Sequence, residues 1–115
     1  MSLKMGTREV KDIIIIDLSG RLTMGEASAA IRDEVLDEVG HGFQKILLNL
    51  ADVSYIDSAG LGELTSAYTS VKNRNGELKL LNLTKRVHDL MQITKLYTVF
   101  DVYDDERTAI ASFGS

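Results

Sequence analysis

Val53-Ser54-Tyr55-Ile56-Asp57-Ser58-Ala59-Gly60-Leu61-Gly62-Glu63-Leu64 is the stretch on which the fold turns. An apolar run, Ile46-Leu47-Leu48-Asn49-Leu50, stands before it and reads as a strand. After it, Leu61, Leu64, Tyr68 and Val71 recur at helical spacing, so a helix is expected from Ser58 to about Asn75, closed by Asn75-Gly76. Between strand and helix lie an acid, a hydroxyl, a small residue and two glycines. The first N–H groups of a helix lack intrahelical partners and sit at the positive end of its dipole. Ser58 therefore offers a hydroxyl where a phosphate is well received. Gly60 and Gly62 remove side chains that would hold another surface away. Local chemistry alone favours a plainer reading, in which Asp57-Ser58 only caps the helix.

Working outward, Thr7–Val10 and Ile13–Leu18 flank Lys11-Asp12 and read as an antiparallel hairpin. Four consecutive isoleucines, Ile13 to Ile16, indicate a strand covered on both faces. Thr23-Met24-Gly25-Glu26 has capping-box spacing. The helix it opens carries Ala27, Ile31, Val35 and Val39 on one stripe, widened by Leu36, and stops at Gly40 and Gly42. The continuous apolar character of Ile46–Leu50 places that strand centrally in a parallel sheet. Leu78–Leu83 is a fourth strand. Thr84 can cap a third helix through Val87, Leu90, Met91 and Thr94. Val99–Tyr103 is a last strand, and Asp104 or Asp105 can cap a terminal helix with Ala109, Ile110 and Phe113 inward. The order is β-β-α-β-α-β-α-β-α. It predicts an α/β fold: one mixed, largely parallel sheet with about four helices. Function in open α/β sheets gathers at the carboxyl ends of strands, and Ser58 lies just past one.

Asp57-Ser58-Ala59-Gly60-Leu61-Gly62, with Leu50, Val53, Tyr55 and Ile56 ahead of it, resembles the signature of the STAS domain. The segment order from about Thr7 to Phe113 is similar to that family's. The resemblance implies that the protein is an anti-sigma-factor antagonist and that the position of Ser58 is its phosphorylation site. It implies, as partner, an anti-sigma factor that is also a serine kinase of the GHKL ATPase type. By the same resemblance, the unphosphorylated form binds the partner and frees the sigma factor, and a phosphatase is a further partner. The partner-binding residues it implies are Thr23, Met24, Tyr55, Asp57, Ser58, Ala59, Gly60, Leu61 and Gly62. Thr23 departs from the pattern. Many phosphorylatable members have Asp there, after a Gly-x-Leu lead-in like Gly20-Arg21-Leu22, so that negative charge does not carry over to this chain. A phosphate on Ser58 would add a charge of roughly −1.5 to −2 beside Asp57 and block one interface while leaving the domain folded.

The remaining signals bound the alternatives. The 115 residues, 44% hydrophobic, suit one domain with one core. Residues 1–4 are set apart from it as a disordered or appended lead. No apolar run reaches the roughly 20 residues of a membrane helix, and no leader pattern opens the chain. Without cysteine there is no disulfide and no thiolate chemistry. A reducing, cytoplasmic setting is expected. The net charge of −4 disfavours nucleic-acid binding. Ile56-Asp57-Ser58-Ala59-Gly60 is not a G-x-S-x-G elbow, and neither His41 nor His88 is placed as a base. Gly60-Leu61-Gly62 lacks the third glycine of a dinucleotide fingerprint. Asp101, Asp104, Asp105 and Glu106 lack EF-hand spacing. Accordingly no catalytic residue, cofactor or metal is expected. Lys72, Arg74, Lys79, Lys85 and Arg86 read as a basic surface rim. Exposed Met24, Leu61 or Met91 beside the turn would give a partner an apolar patch. Two other readings stay open: an unswitched STAS subunit of a larger signalling or transport complex, and a sensor of a small ligand or nucleotide at the same turn.

Overall fold

The computed structural model describes residues 3–23 and 26–113. Five strands and four α-helices follow in the expected order. They are β1 (Leu3–Val10), β2 (Ile13–Leu22), α1 (Glu26–Gly40), β3 (Lys45–Ile56), α2 (Ser58–Lys72), β4 (Glu77–Leu81), α3 (Lys85–Thr94), β5 (Val102–Tyr103) and α4 (Glu106–Ser112). A 3₁₀ turn, Leu96–Thr98, lies between α3 and β5. The sheet order is β1-β2-β3-β4-β5, antiparallel at β1–β2 and parallel elsewhere.

That order explains the layering. Each parallel strand is added on the same side of the last, and right-handed crossovers then put every connecting helix on one face. Ile14, Ile16, Ile46 and Leu48 pack there with Ile31 and Val35 of α1, Leu61, Leu64 and Val71 of α2, and Val87 and Met91 of α3. The opposite face carries Ile13, Ile15, Leu47 and Leu81, covered by Ala109 of α4 and its C-cap Phe113, with Ile110, Val10 and Tyr103 partly buried against them. The four isoleucines thus divide between two cores, and all are buried. Asp105 caps α4, accepting hydrogen bonds from the Thr108 backbone N–H at 3.0 Å and from its hydroxyl at 2.9 Å.

Several boundaries differ from expectation. Residues 3 and 4, set apart from the fold, belong to β1: Leu3 pairs with Gly20 and Lys4 with Ser19. The last strand shrinks to Val102–Tyr103, because Phe100 turns into the main core and breaks the extended run. Lys79 is not on a basic rim. Its ammonium lies in the α4 core, donating to the Ser112 carbonyl at 2.9 Å and hydroxyl at 3.0 Å, with Phe113's ring centroid 4.9 Å away. The capping box at Thr23-Met24-Gly25-Glu26 lies outside the described residues, as does Met24.

The longest revision concerns β3. It continues past Leu50 to Ile56, whereas β4 leaves it at Asn49↔Leu81. From Asp52 onward only β2 pairs with it, through register shifts at Asp17/Ser19 and Gly20/Arg21, with Gly20 at φ +104°. Such bulges strengthen local twist. A two-stranded ribbon therefore carries Tyr55-Ile56-Asp57-Ser58 beyond the rest of the sheet.

On the thinly covered face, Arg8 ties three elements together. Its guanidinium donates to Asp17 at 2.7 and 2.9 Å and to Glu106 at 2.9 and 3.1 Å. Those bonds hold the Asp17 carboxyl below its ordinary value of 3.8. A carboxylate with a lowered folded value contributes stability that is present above the unfolded value and lost as pH falls. Both side chains are partly exposed, so about 1 kcal/mol is the expected scale. Urea midpoints for wild type and Asp17→Asn should therefore differ by that amount near neutral pH. They should converge as pH drops below 3.8, the value for a free Asp. A gap constant down to acid would contradict this reading.

Candidate functional site

The candidate site is the β3–α2 turn. Asp57 is the N-cap of α2, in extended conformation, and its carboxylate accepts the Gly60 N–H at 2.9 Å. The Asp57 carbonyl accepts the first helical bond from Leu61 N at 2.9 Å. The Asp57 N–H donates to the Leu22 carbonyl at 3.3 Å, tying the turn to the end of β2. Three bonds thus fix Asp57, and its acidic group is already engaged as a cap.

The next residues split between two faces. Ser58, Ala59 and Gly62 are exposed, while Gly60, Leu61 and Leu64 are buried. No side chain among the described residues hydrogen-bonds to the Ser58 hydroxyl. His41 is exposed and contacts its own helix through the Asp37 carbonyl at 2.8 Å. His88 sits on α3 beside Gln92 and Asp89. The arrangement presents a hydroxyl at a helix start, where the Ser58 and Ala59 N–H groups have no partner among the described residues.

Burial removes two residues from any apolar patch beside the turn. Leu61 is 1% exposed and belongs to the main core, as does Met91. Neither offers a partner an apolar patch. Gly60 does not open the surface to an incoming protein. A Cβ there would collide with the Leu22 carbonyl oxygen and come within 2.8 Å of its carbonyl carbon. The missing side chain makes room for the chain's own backbone. Gly62 is different: nothing lies within 4 Å of where its Cβ would stand.

Tyr55 is half-buried with two cations on its ring. The Arg21 guanidinium lies 4.6 Å and the Arg86 guanidinium 4.0 Å from the ring centroid. Arg21 comes from β2, opposite Tyr55 in the ladder, and Arg86 from the first turn of α3. Sequence reading missed this cluster, since its members are far apart in the chain and no local signal marks it. Beside it, Ile56, Arg86, Asp89, Leu90 and Ile93 line a shallow groove. Among the described residues, no three acidic or imidazole side chains are grouped to hold a metal, and no helix is long and apolar enough to cross a membrane.

Residues 4–109 match the STAS domain family model. The chain belongs to the STAS family. It is 30% identical over 102 residues to the anti-sigma-B factor antagonist of Bacillus subtilis, covering 89% of this chain and 92% of that one. It is 25% identical over 111 residues to the anti-sigma F factor antagonist of Paenibacillus polymyxa, covering 96% and 94%. Its fold matches the structure of the anti-sigma factor antagonist SpoIIAA in its unphosphorylated form, with a TM-score of 0.79 at 23% identity, covering 96% of each chain. The single sheet of five strands with four helices is the STAS fold.

The two glycines give a paired test. Gly60→Ala should destabilise the fold by at least about 2 kcal/mol, because overpacking against backbone has no cheap relief. Gly62→Ala should leave it unchanged or stabilise it by up to about 1 kcal/mol, since Ala is the better helix former. Urea unfolding of both variants checks this. Equal losses would contradict the inward–outward division of the turn.

Proposed function

We propose that this chain is an anti-sigma-factor antagonist whose binding is switched by phosphorylation of Ser58. The observation that carries this reading is the geometry of the turn. Ser58 projects, exposed, from the first residue of a helix whose cap and backbone are locked to β2. The names of the relatives support the partner class: two are antagonists of anti-sigma factors. In this reading the partner is an anti-sigma factor that is also a serine kinase of the GHKL type, and a phosphatase resets the cycle.

The switch works through local charge. The unphosphorylated turn presents Ser58, Ala59 and Gly62, small groups that a partner surface can approach closely. Phosphate adds a charge of roughly −1.5 to −2 and three oxygens that a packed interface must desolvate or repel. The fold itself tolerates the anion, since it stands at the positive end of the α2 dipole. Asp57 stays on Gly60 N and keeps the helix start in place. The protein does no chemistry of its own; the kinase supplies the nucleotide. Thr23, half-buried at the end of β2, contributes no charge to the interface.

The test uses Ser58→Ala and Ser58→Asp in a binding titration with the anti-sigma factor. Ser58→Ala should bind like the unphosphorylated wild type. Ser58→Asp should bind at least about tenfold more weakly, a change of about 1.4 kcal/mol or more. Equal binding by the two variants would sink the switch.

A further inference from the structure

Arg21 and Arg86 form an unfinished electrostatic arrangement. Both guanidinium groups stand on one ring, that of Tyr55, so the two like charges lie within about 9 Å of each other, where they repel. Stacking on an aromatic face offsets part of that repulsion. Among the described residues neither arginine has a carboxylate at ion-pair distance. Nearby acids are occupied: Asp17 pairs with Arg8, Asp57, two residues past Tyr55, caps α2, and Asp89, three past Arg86, holds Lys85 at 2.7 Å. Arg8, by contrast, is fully paired with Asp17 and Glu106. In a chain of net charge −4, two uncommitted arginines beside the helix turn are a local reversal of sign.

A second feature meets the first at Arg86. The same side chain lines the groove with Ile56, Asp89, Leu90 and Ile93, a space of about 240 Å³. Ile93 is 78% exposed on α3, although Val87 and Met91 of the same helix are fully buried. Its apolar surface has no cover among the described residues. Both arginines are exposed, and arginine and tyrosine are among the residues enriched at interface hot spots.

We propose that this edge docks a protein segment bearing a carboxylate and an apolar side chain. The carboxylate joins Arg21 and Arg86, where the planar guanidinium forks suit it. The apolar side chain enters the groove against Ile56, Leu90 and Ile93. This rests on the antagonist reading and specifies the partner's chemistry: its contact face is acidic here, not basic.

The test needs no known partner. The full chain, labelled with nitrogen-15, is titrated with the capped peptide acetyl-Glu-Leu-Leu-Glu-amide, with acetyl-Lys-Leu-Leu-Lys-amide, and with inorganic phosphate at equal ionic strength. The acidic peptide should shift the Arg21, Tyr55, Arg86 and Ile93 signals saturably. The double variant Arg21→Gln/Arg86→Gln, with an otherwise unchanged spectrum, should bind it at least about tenfold more weakly. Ile93→Ser should also weaken it, and the basic peptide should not bind. Four outcomes would overturn the proposal: no saturable shift, shifts mapping elsewhere, binding indifferent to the double variant, or phosphate producing the same response. The Ser58→Ala variant should bind the peptide like wild type, so failure of the phosphorylation switch and failure of this surface are told apart.

Discussion

The carbonyl of Leu22 is the point on which the site depends. It accepts the Asp57 N–H, and it occupies the space that a side chain at position 60 would need. Buried backbone groups must find partners. Here the end of β2 finds one in the residue that caps α2. The start of the helix is consequently fixed against the sheet by a bond and a close contact at the same atom. Asp57 then holds Gly60 N, and the helix leaves at a set angle with Ser58 outermost. Under the proposed switch, a hydroxyl that is recognised, modified and recognised again would benefit from such a rigid mounting.

That mounting is possible because the sheet is uneven. Sequential strand order packs three helices on one face and leaves the other to the short α4. On the thin side, polar links supplement the apolar cover. Arg8 joins β1, β2 and α4, and Lys79 holds the end of α4 through Ser112. Near Asp17 the network continues through Asn49 to Asn82, at 2.8 and 3.3 Å. Beyond it β2 and β3 run on without β4, and the Tyr55 cluster and the Ser58 turn sit on that overhang. Core residues Leu22, Ile56 and Leu61 adjoin the turn, but Ser58 itself is exposed where charge would be added. Phosphorylation there would disturb an interface at little cost to the fold.

Much of this was legible in the residues. Ile13–Ile16 announced a strand between two layers, and its alternate side chains enter different cores. Thr84 and Asp105 cap the helices they were expected to cap. Asp57 stands between β3 and α2 as its cap, and Ser58 to Gly62 form the first turn of the helix expected to start at Ser58. What failed were statements about facing and reach. The strand reads as Ile46–Leu50, yet the β2 ladder draws β3 on to Ile56. Gly60 and Gly62 look alike in sequence, but one faces the Leu22 backbone and the other solvent. Lys79 looked like surface charge until Ser112 and two aromatic rings enclosed it. The Arg21–Tyr55–Arg86 stack joins two strands and a helix, so no local pattern marks it. Local chemistry fixes what a segment is; long-range contacts decide which side it shows.

The central claim is that Ser58 alternates between bare and phosphorylated states. The most direct measurement is peptide-resolved mass spectrometry of the protein taken from its own cells, growing and stressed. A phosphoryl group on Ser58 whose occupancy changes between the two conditions is the predicted result. A Ser58 that stays bare in every condition, with the protein present, would contradict the account.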